Sequence, residues 1–415
     1  MLTANPLVLL LLPLLLAASC FAQDQTAQLP QGRITLGDGT CSLQAATITC
    51  VCRPGQEALD LTAPFMEGSG AAEVLQVSSC PSVTFAFPPL QNLHTLRVAH
   101  TARTTFQEKA SPLLRHLALV NISEVELQGP TFQGAALETV LLDGVRISVV
   151  RSGAFAGLSK IQNVTFRDVR FNAVLEGAVE LQMVGNSELT ILRSELLSVM
   201  TSGIVVKGVT NFTMHESRLT TKGDDGLQLD AAGAVSVSDS QLLSGGAIKL
   251  AVPSGATFRF VNNVWKNSSL LEVGQQLLQS AVALDVTNNT FQCACDPALD
   301  AVLRLPAAAA LLDNNRCDES LCGQPVPMRV LASCRSPSEK QAACQVALPA
   351  AAATPGAASA PPSTTHRTVS TTPAVTVSPR AAKPLSPGGN NTAAAIAVSV
   401  TAALLTVPAA AALAL

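Results

Sequence analysis

The middle of the chain repeats itself about every 23 residues, and no other feature narrows its fold as much. Each unit opens apolar-polar-apolar, at Leu75, Leu96, Leu117, Val140, Val164, Leu189, Phe212, Val235, Phe258 and Leu284. The intervals are 21, 21, 23, 24, 25, 23, 23, 23 and 26 residues. Two residues later the units read Val77, Val98, Leu119, Leu142, Phe166, Ile191, Met214, Val237, Phe260 and Val286, apolar in ten of ten. With 48% of the chain apolar, chance would give that about once in a thousand independent trials. Seven residues after the opening, the last seven units carry Ile147, Phe171, Leu196, Leu219, Leu242, Trp265 and Phe291. The residues between are mostly polar, which places one short half-buried strand in each unit. A unit this short cannot bury its apolar side alone, so the units must stack. The expected fold is all-β dominated: a parallel β-solenoid of about ten coils over residues 75–292.

Five coils carry Ser or Asn five residues after the opening: Ser194, Ser217, Ser240, Asn263 and Asn289. Small polar side chains stacked at a corner can hydrogen-bond along the stack, a structural role. Trp265 falls in the apolar column and reads as core. Asn163 and Thr165 flank Val164, and Asn211 and Thr213 flank Phe212, so both pairs point outward. Thr165, Thr190, Thr213 and Ser236 form an outward polar strip. The early segments "LLRHLALVNISEVELQGPTFQGAALETVLL" and "ISVVRSGAFAGLSKIQNVTF" resemble extracellular leucine-rich repeats in leucine spacing and in Phe-x-Gly-x-x before the next strand. The asparagine spacing is off by one, and later coils lose the motif. From Leu189 onward, "NFTMHESRL", "AVSVSDSQL", "TFRFVNNVW" and "ALDVTNNTF" resemble coils of a right-handed β-helix.

A solenoid needs caps over its exposed ends. Cys41, Cys50, Cys52 and Cys80 belong to an N-terminal cap and first coil over 23–80. Cys293, Cys295, Cys317, Cys322, Cys334 and Cys344 belong to a C-terminal cap over 293–348. No cysteine falls between the two groups, and an even number in a secreted chain implies disulfides. Zinc, the other reading of Cys-x-Cys clusters, is disfavoured in a secretory compartment. The stretch "NNTFQCACDPALDAVLRLPAAAALLDNNRCDESLCGQPVPMRVLASC" resembles the C-terminal cysteine cap of extracellular leucine-rich-repeat proteins. That resemblance implies Cys293–Cys317 and Cys295–Cys334, leaving Cys322 and Cys344, extra to the family pattern, to pair together. The N-terminal cluster resembles the matching cap less closely, because Cys80 falls late. Its four cysteines allow three pairings, all open.

The chain begins "MLTANPLVLLLLPLLLAASCFAQ", an apolar run followed by small residues, read as a signal peptide over 1–22. "LAASC" is also compatible with a bacterial lipoprotein box. Residues 349–389 are rich in Ser, Thr, Pro and Ala and read as an extended, O-glycosylated stalk. Residues 390–415 form the tail, which after Asn390 and Asn391 is apolar to the last position with no following Lys or Arg. Small residues before a weakly apolar tail fit a GPI-attachment signal, with Gly388, Gly389, Asn390 or Asn391 as the attachment site. A single-pass span is the alternative. Sequons stand at Asn121, Asn163, Asn211, Asn267, Asn288 and Asn390, as on an exposed glycosylated surface.

The segment "TTKGDDGLQLD" raises the question of catalysis. Asp224 and Asp225 with their glycines resemble the Gly-Asp-Asp segment of polygalacturonase-type glycosidases, which are right-handed β-helices. That family has a further aspartate one coil earlier, a Gly-His-Gly one coil later and an Arg-Ile-Lys beyond. Here Ser202 stands where the aspartate belongs, "LLSGGAIKL" has no histidine, and Lys249 follows an isoleucine without the arginine. Inversion needs both an acid and a base. Sugar clefts also stack on aromatic faces, and this chain has no Tyr and one Trp. A turn between strands is the favoured reading of Lys-Gly-Asp-Asp-Gly. Calcium at Asp224 and Asp225 needs further oxygens. His94 and His116 sit at different phases of the repeat and read as exposed histidines, not a metal pair. No cofactor motif appears. A net charge of −3 and 13% charged residues argue against a nucleic-acid partner. The expectation is a membrane-anchored glycoprotein on the extracellular side of the plasma membrane, with no catalysis. It would bind an extracellular protein partner through its first coils. The alternative is a β-helix enzyme using Asp224 and Asp225.

Overall fold

The computed structural model describes residues 34–36, 40–61, 69–86, 90–244, 249–251, 255–266, 283–297, 303–304 and 308–347. The signal segment, Asn267, the stalk, and the tail with Gly388, Gly389, Asn390 and Asn391 lie outside these residues.

The chain forms a parallel β-solenoid of about ten coils, and the ten openings stack on one another in register. Leu75 partners Leu96, Leu96 partners Leu117, and Leu117 partners Val140. The column continues through Val164, Leu189, Phe212, Val235, Phe258 and Leu284, each the partner of the next. All but Leu284, which is half-buried, are buried. One rung extends the column at its N-terminal end, where Ile48 pairs with Leu75.

Each coil lays strand on more than the one face expected. The openings form a first face. A second face is the column Leu59, Val83, Thr104, Val125, Ile147, Phe171, Leu196, Leu219, Leu242, Trp265, Phe291 and Cys317. A third face runs through the middle coils, where Phe155, Val179, Ile204 and Leu227 are successive partners and Leu229 pairs with Leu250. Where the second-face strand stands alone it is two to five residues long and alternates too briefly to announce itself, which is why only the first column was fully legible.

The corner between the first two faces has the same left-handed backbone turn in each of the ten repeat coils. Four residues after each opening, Ser79, His100, Asn121, Gly144, Asp168, Arg193, Glu216, Asp239, Asn262 and Asn288 all have φ between +46° and +63°. This left-handed conformation turns the chain, and the next residue points inward. Its occupants are buried in all ten coils: Cys80, Thr101, Ile122, Val145, Val169, Ser194, Ser217, Ser240, Asn263 and Asn289.

From Ser194 onward that inward column is a hydrogen-bonded ladder. Val169 N–H donates to Ser194 Oγ at 3.1 Å, Ser194 N–H to Ser217 Oγ at 3.0 Å, and Ser217 N–H to Ser240 Oγ at 3.1 Å. Ser240 N–H donates to Asn263 Oδ1 at 2.9 Å, and Asn263 N–H to Asn289 Oδ1 at 2.8 Å. Asn289 N–H donates to Asn315 Oδ1 at 2.9 Å, a sixth polar rung that the repeat spacing did not reveal. Each side chain thus satisfies a buried N–H of the preceding coil, and leaving such a group unpaired costs about 1–3 kcal/mol.

Aromatic rings fill the interior. In the first coils Phe85 stacks on Phe106 at 4.9 Å, Phe106 meets Phe132 edge-on at 5.5 Å, and Phe132 stacks on Phe155 at 5.1 Å. Trp265, buried in the second column, packs on Phe260 with centroids 5.4 Å apart.

Both ends are crosslinked. At the N-terminus Ile34–Leu36, Cys41–Gln44 and Thr47–Val51 form an antiparallel meander, and Cys41 is bonded to its cross-strand partner Cys50. Cys52–Cys80 ties this meander to the next coil. At the C-terminus the pairs are Cys293–Cys317, Cys295–Cys334 and Cys322–Cys344, as the resemblance implied. Short helices at Ala308–Asp313, Glu319–Cys322 and Lys340–Ala347 close that end. Asp318 caps the second of these by accepting from Ser320 N–H, and Gly323 ends it at φ +75°.

Candidate functional site

The Asp224–Asp225 pair sits on a turn that the packing of neighbouring coils dictates. Asp225 has φ +53°, and Ser202, Gly177 and Gly153 adopt the same left-handed conformation in the three preceding coils. Gly177 N–H donates to Ser202 O, and Ser202 N–H to Asp225 O, so these turns are stacked. Both flanking glycines are required by contact. A Cβ on Gly223 would lie 2.4 Å from Thr201 N, and one on Gly226 3.2 Å from Val199 O. Asp224 is exposed and Asp225 half-buried.

The residue stacked on Asp225 one coil earlier is Ser202, whose Oγ accepts from Gln228 Nε2 at 2.9 Å. The same row places Thr201 beside Asp224, with Glu176 one coil further on. No carboxylate therefore adjoins the pair from the preceding coil. The corresponding turn of the following coil lies outside the described residues. Among the described residues no group of three or more His, Cys, Asp or Glu is placed to hold a metal ion.

His116 and His94 do not form a pair. His116 is exposed and hydrogen-bonds Thr139 Oγ1 at 2.9 Å, one coil along. His94 is half-buried rather than exposed, and its Nδ1 is enclosed without a hydrogen-bond partner.

The corner residues and those just before them carry a run of charge pairs. Arg167 forks onto Asp143, with Nε to Oδ1 at 3.0 Å and a second, short contact to Oδ2. Arg193 forks onto Asp168 at 2.9 and 2.8 Å. The Arg193 hydrogen bonds hold the Asp168 carboxyl below its ordinary value, and the two arginines are raised by their carboxylate partners. His215 lies 3.3 Å from Asp239 and 3.5 Å from Glu216.

The outward side of the first face divides into two parts. In the later coils Thr165, Thr190, Thr213 and Ser236 are successive partners, all half-buried, with Asn163 and Asn211 exposed beside them. In the first coils the same position carries Gln76, Arg97, Ala118 and Leu141, and two residues further along Ala99 faces Val120. Ala118, Val120 and Leu141 are half-buried, and Ala99 is covered by its neighbours. Sequence reading found the polar strip but not this patch, because alternation marks inward residues and leaves outward ones unassigned. The remaining described sequons, Asn121 and Asn288, are exposed on the left-handed corner.

No helix among the described residues is long and apolar enough to cross a membrane. Five disulfides are consistent with an extracellular or secreted protein. Compared with protein-family models, curated proteins and solved structures, the chain matches none.

Proposed function

We propose that the chain is a cell-surface binding ectodomain without catalytic activity, held at the membrane by its C-terminal tail. The observation that carries this reading is the apolar group Ala118, Val120 and Leu141 on the outward side of the first face, bordered by exposed Arg97. A flat apolar patch rimmed by polar residues suits contact with another protein. The resemblance of these coils to leucine-rich repeats points the same way, as does the sequon-lined strip, where glycans on Asn163 and Asn211 would keep a partner off. Asp224 and Asp225 serve the turn in this account.

The test is to place a glycan on the patch. Ala118→Asn with Val120→Thr creates a sequon at its centre. Binding of the purified chain to cells of its source organism should be lost, with the folded state retained. Binding that survives a verified glycan would overturn the assignment. The enzyme alternative predicts cleavage of pectin-like polymers that disappears with Asp224→Asn and Asp225→Asn together. Release from cells by phosphatidylinositol-specific phospholipase C would identify the anchor as GPI.

A further inference from the structure

In a repeat, function shows where the repeat is broken, and two breaks coincide in the coil that opens at Val140. The first is at the left-handed corner. Of the ten residues in that column only Gly144 has no side chain. The second is on the outward side of the second face. There Arg103 faces Glu124, and Glu195 lies between Arg170 and Arg218, so signs alternate. Arg146 instead faces Arg170 directly. Like charges on adjacent strands disfavour the fold. Arg103 pairs with Glu126 at 3.4 Å, Arg170 with Glu195 at 3.1 Å, and Arg193 with Asp168. Exposed Arg146 pairs with no carboxylate among the described residues.

The two breaks open one cleft of about 600 Å³, lined by Gly144, Arg146, Arg170, Arg193, Asp168 and Glu195 among others. Asp168 and Glu195 are engaged by Arg193 and Arg170 and hold those guanidinium groups in place. The apolar residues of the lining, Ile122, Val145 and Val169, are buried and offer no anchor for an apolar side chain. Asn121 stands on the rim. Its Oδ1 leans to 2.7 Å from where a Cβ on Gly144 would be, and its Nδ2 lies 3.5 Å from His100 Nδ1. A glycan on that nitrogen leaves toward the preceding coil, away from Arg146.

We propose that this cleft binds an acidic oligosaccharide, with Arg146 as the principal contact to a sulfate or carboxylate group. Guanidinium forks match such oxyanions in paired geometry. A hydrated, many-oxygened ligand suits a lining of charges and backbone better than a peptide does, since a peptide gains most from apolar anchors. The site adjoins the apolar group at Val120–Asn121 but uses different side chains, and it stands whether or not a protein binds there.

The test is titration of the purified chain with a heparin-type sulfated oligosaccharide, an oligogalacturonate and polyglutamate. The two sugars separate sulfate from carboxylate as the recognised group. At least one sugar should bind, and Arg146→Gln should weaken it about tenfold or more. Arg103→Gln, in the same column but paired, should leave affinity within about twofold. The melting temperature of Arg146→Gln should be unchanged or higher, because a like-charge contact is removed. A purely structural role for Arg146 would lower it. Binding of neither sugar, equal loss in both variants, or preferential binding of polyglutamate would overturn the proposal.

Discussion

The first coils and the later coils solve the same corner in opposite ways. In the first, twelve-residue strands such as His116–Leu127 and Thr139–Val150 run straight through the corner from first face to second. Their inward corner residues Thr101, Ile122 and Val145 are strand partners of one another, so their backbone stays within the β-ladder and an apolar side chain is free to fill the interior. In the later coils the long strands join the third face to the first, as in Ile204–His215, and end at the corner. The buried N–H there meets no carbonyl of the next coil. A Ser or Asn oxygen takes that place, from Ser194 to Asn315. The Ser/Asn ladder therefore follows from where the strands break, whereas within the unbroken strand Thr95–Phe106 the buried Thr101 and Thr104 hydroxyls bond each other.

The largest effect that would sharpen the contrast is at Asn289. It accepts from Asn263 N–H and donates to Phe260 O and Asn315 Oδ1, fully enclosed. Asn289→Ala should cost about 3 kcal/mol or more, since several buried groups lose partners at about 1–3 kcal/mol each. Ile122→Ala, at the same position of an early coil, leaves only a cavity worth about 2–5 kcal/mol. Replacement by an apolar residue of similar size separates the two. Asn289→Leu should remain severe in denaturant unfolding, whereas Ile122→Val should cost about 1 kcal/mol. Similar losses would mean the ladder contributes volume only.

A smaller effect distinguishes turn from active site. Gly223→Ala drives a Cβ against the Thr201 backbone. It should cost about 1–3 kcal/mol, as other overpacking changes do. Asp224→Asn, on an exposed side chain, should move stability by no more than about 0.5 kcal/mol. A large loss at Asp224 would show that its charge has a structural partner.

The smallest effect is electrostatic. Asp168 is held below its ordinary value of 3.8 by Arg193. A depressed carboxyl stabilises the fold fully above the unfolded value and loses that contribution as pH falls through the folded value. Melting curves should therefore show a slightly steeper acid-side decline in the native chain than in Asp168→Asn, and high salt should reduce the difference. Parallel pH profiles would remove the pair from the account.

The inward architecture was legible in the sequence because burial imposes residue type. Leu75 to Leu284 showed as a column, and Ser194 to Asn289 as a ladder. Ile48 did not, because it lies 27 residues before Leu75 inside the cysteine meander, outside the repeat interval. Asn315 did not, because the helix Ala308–Asp313 stands where the opening of its coil would fall. The left-handed corner is the most regular backbone feature of the molecule and left no sequence signal. Its side chains point to solvent, so His100, Arg193 and Glu216 serve there as well as Asn121. Among candidate sites, the acid pair was conspicuous and proved to be a stacked turn. The apolar patch and the Arg146 cleft were hidden, because each is defined by neighbours one coil away.

The division between a binding region and a scaffold is tested most directly by two charge substitutions on the same face. Leu141→Glu lies in the apolar patch of the first coils, and Thr213→Glu in the polar strip of the later ones. Cell binding of each purified chain would be titrated alongside its melting temperature. The account predicts at least about tenfold weaker binding for Leu141→Glu, as for a lost anchor residue, and little change for Thr213→Glu, with both chains folded. Equal binding by the two, or loss only at Thr213, would contradict it.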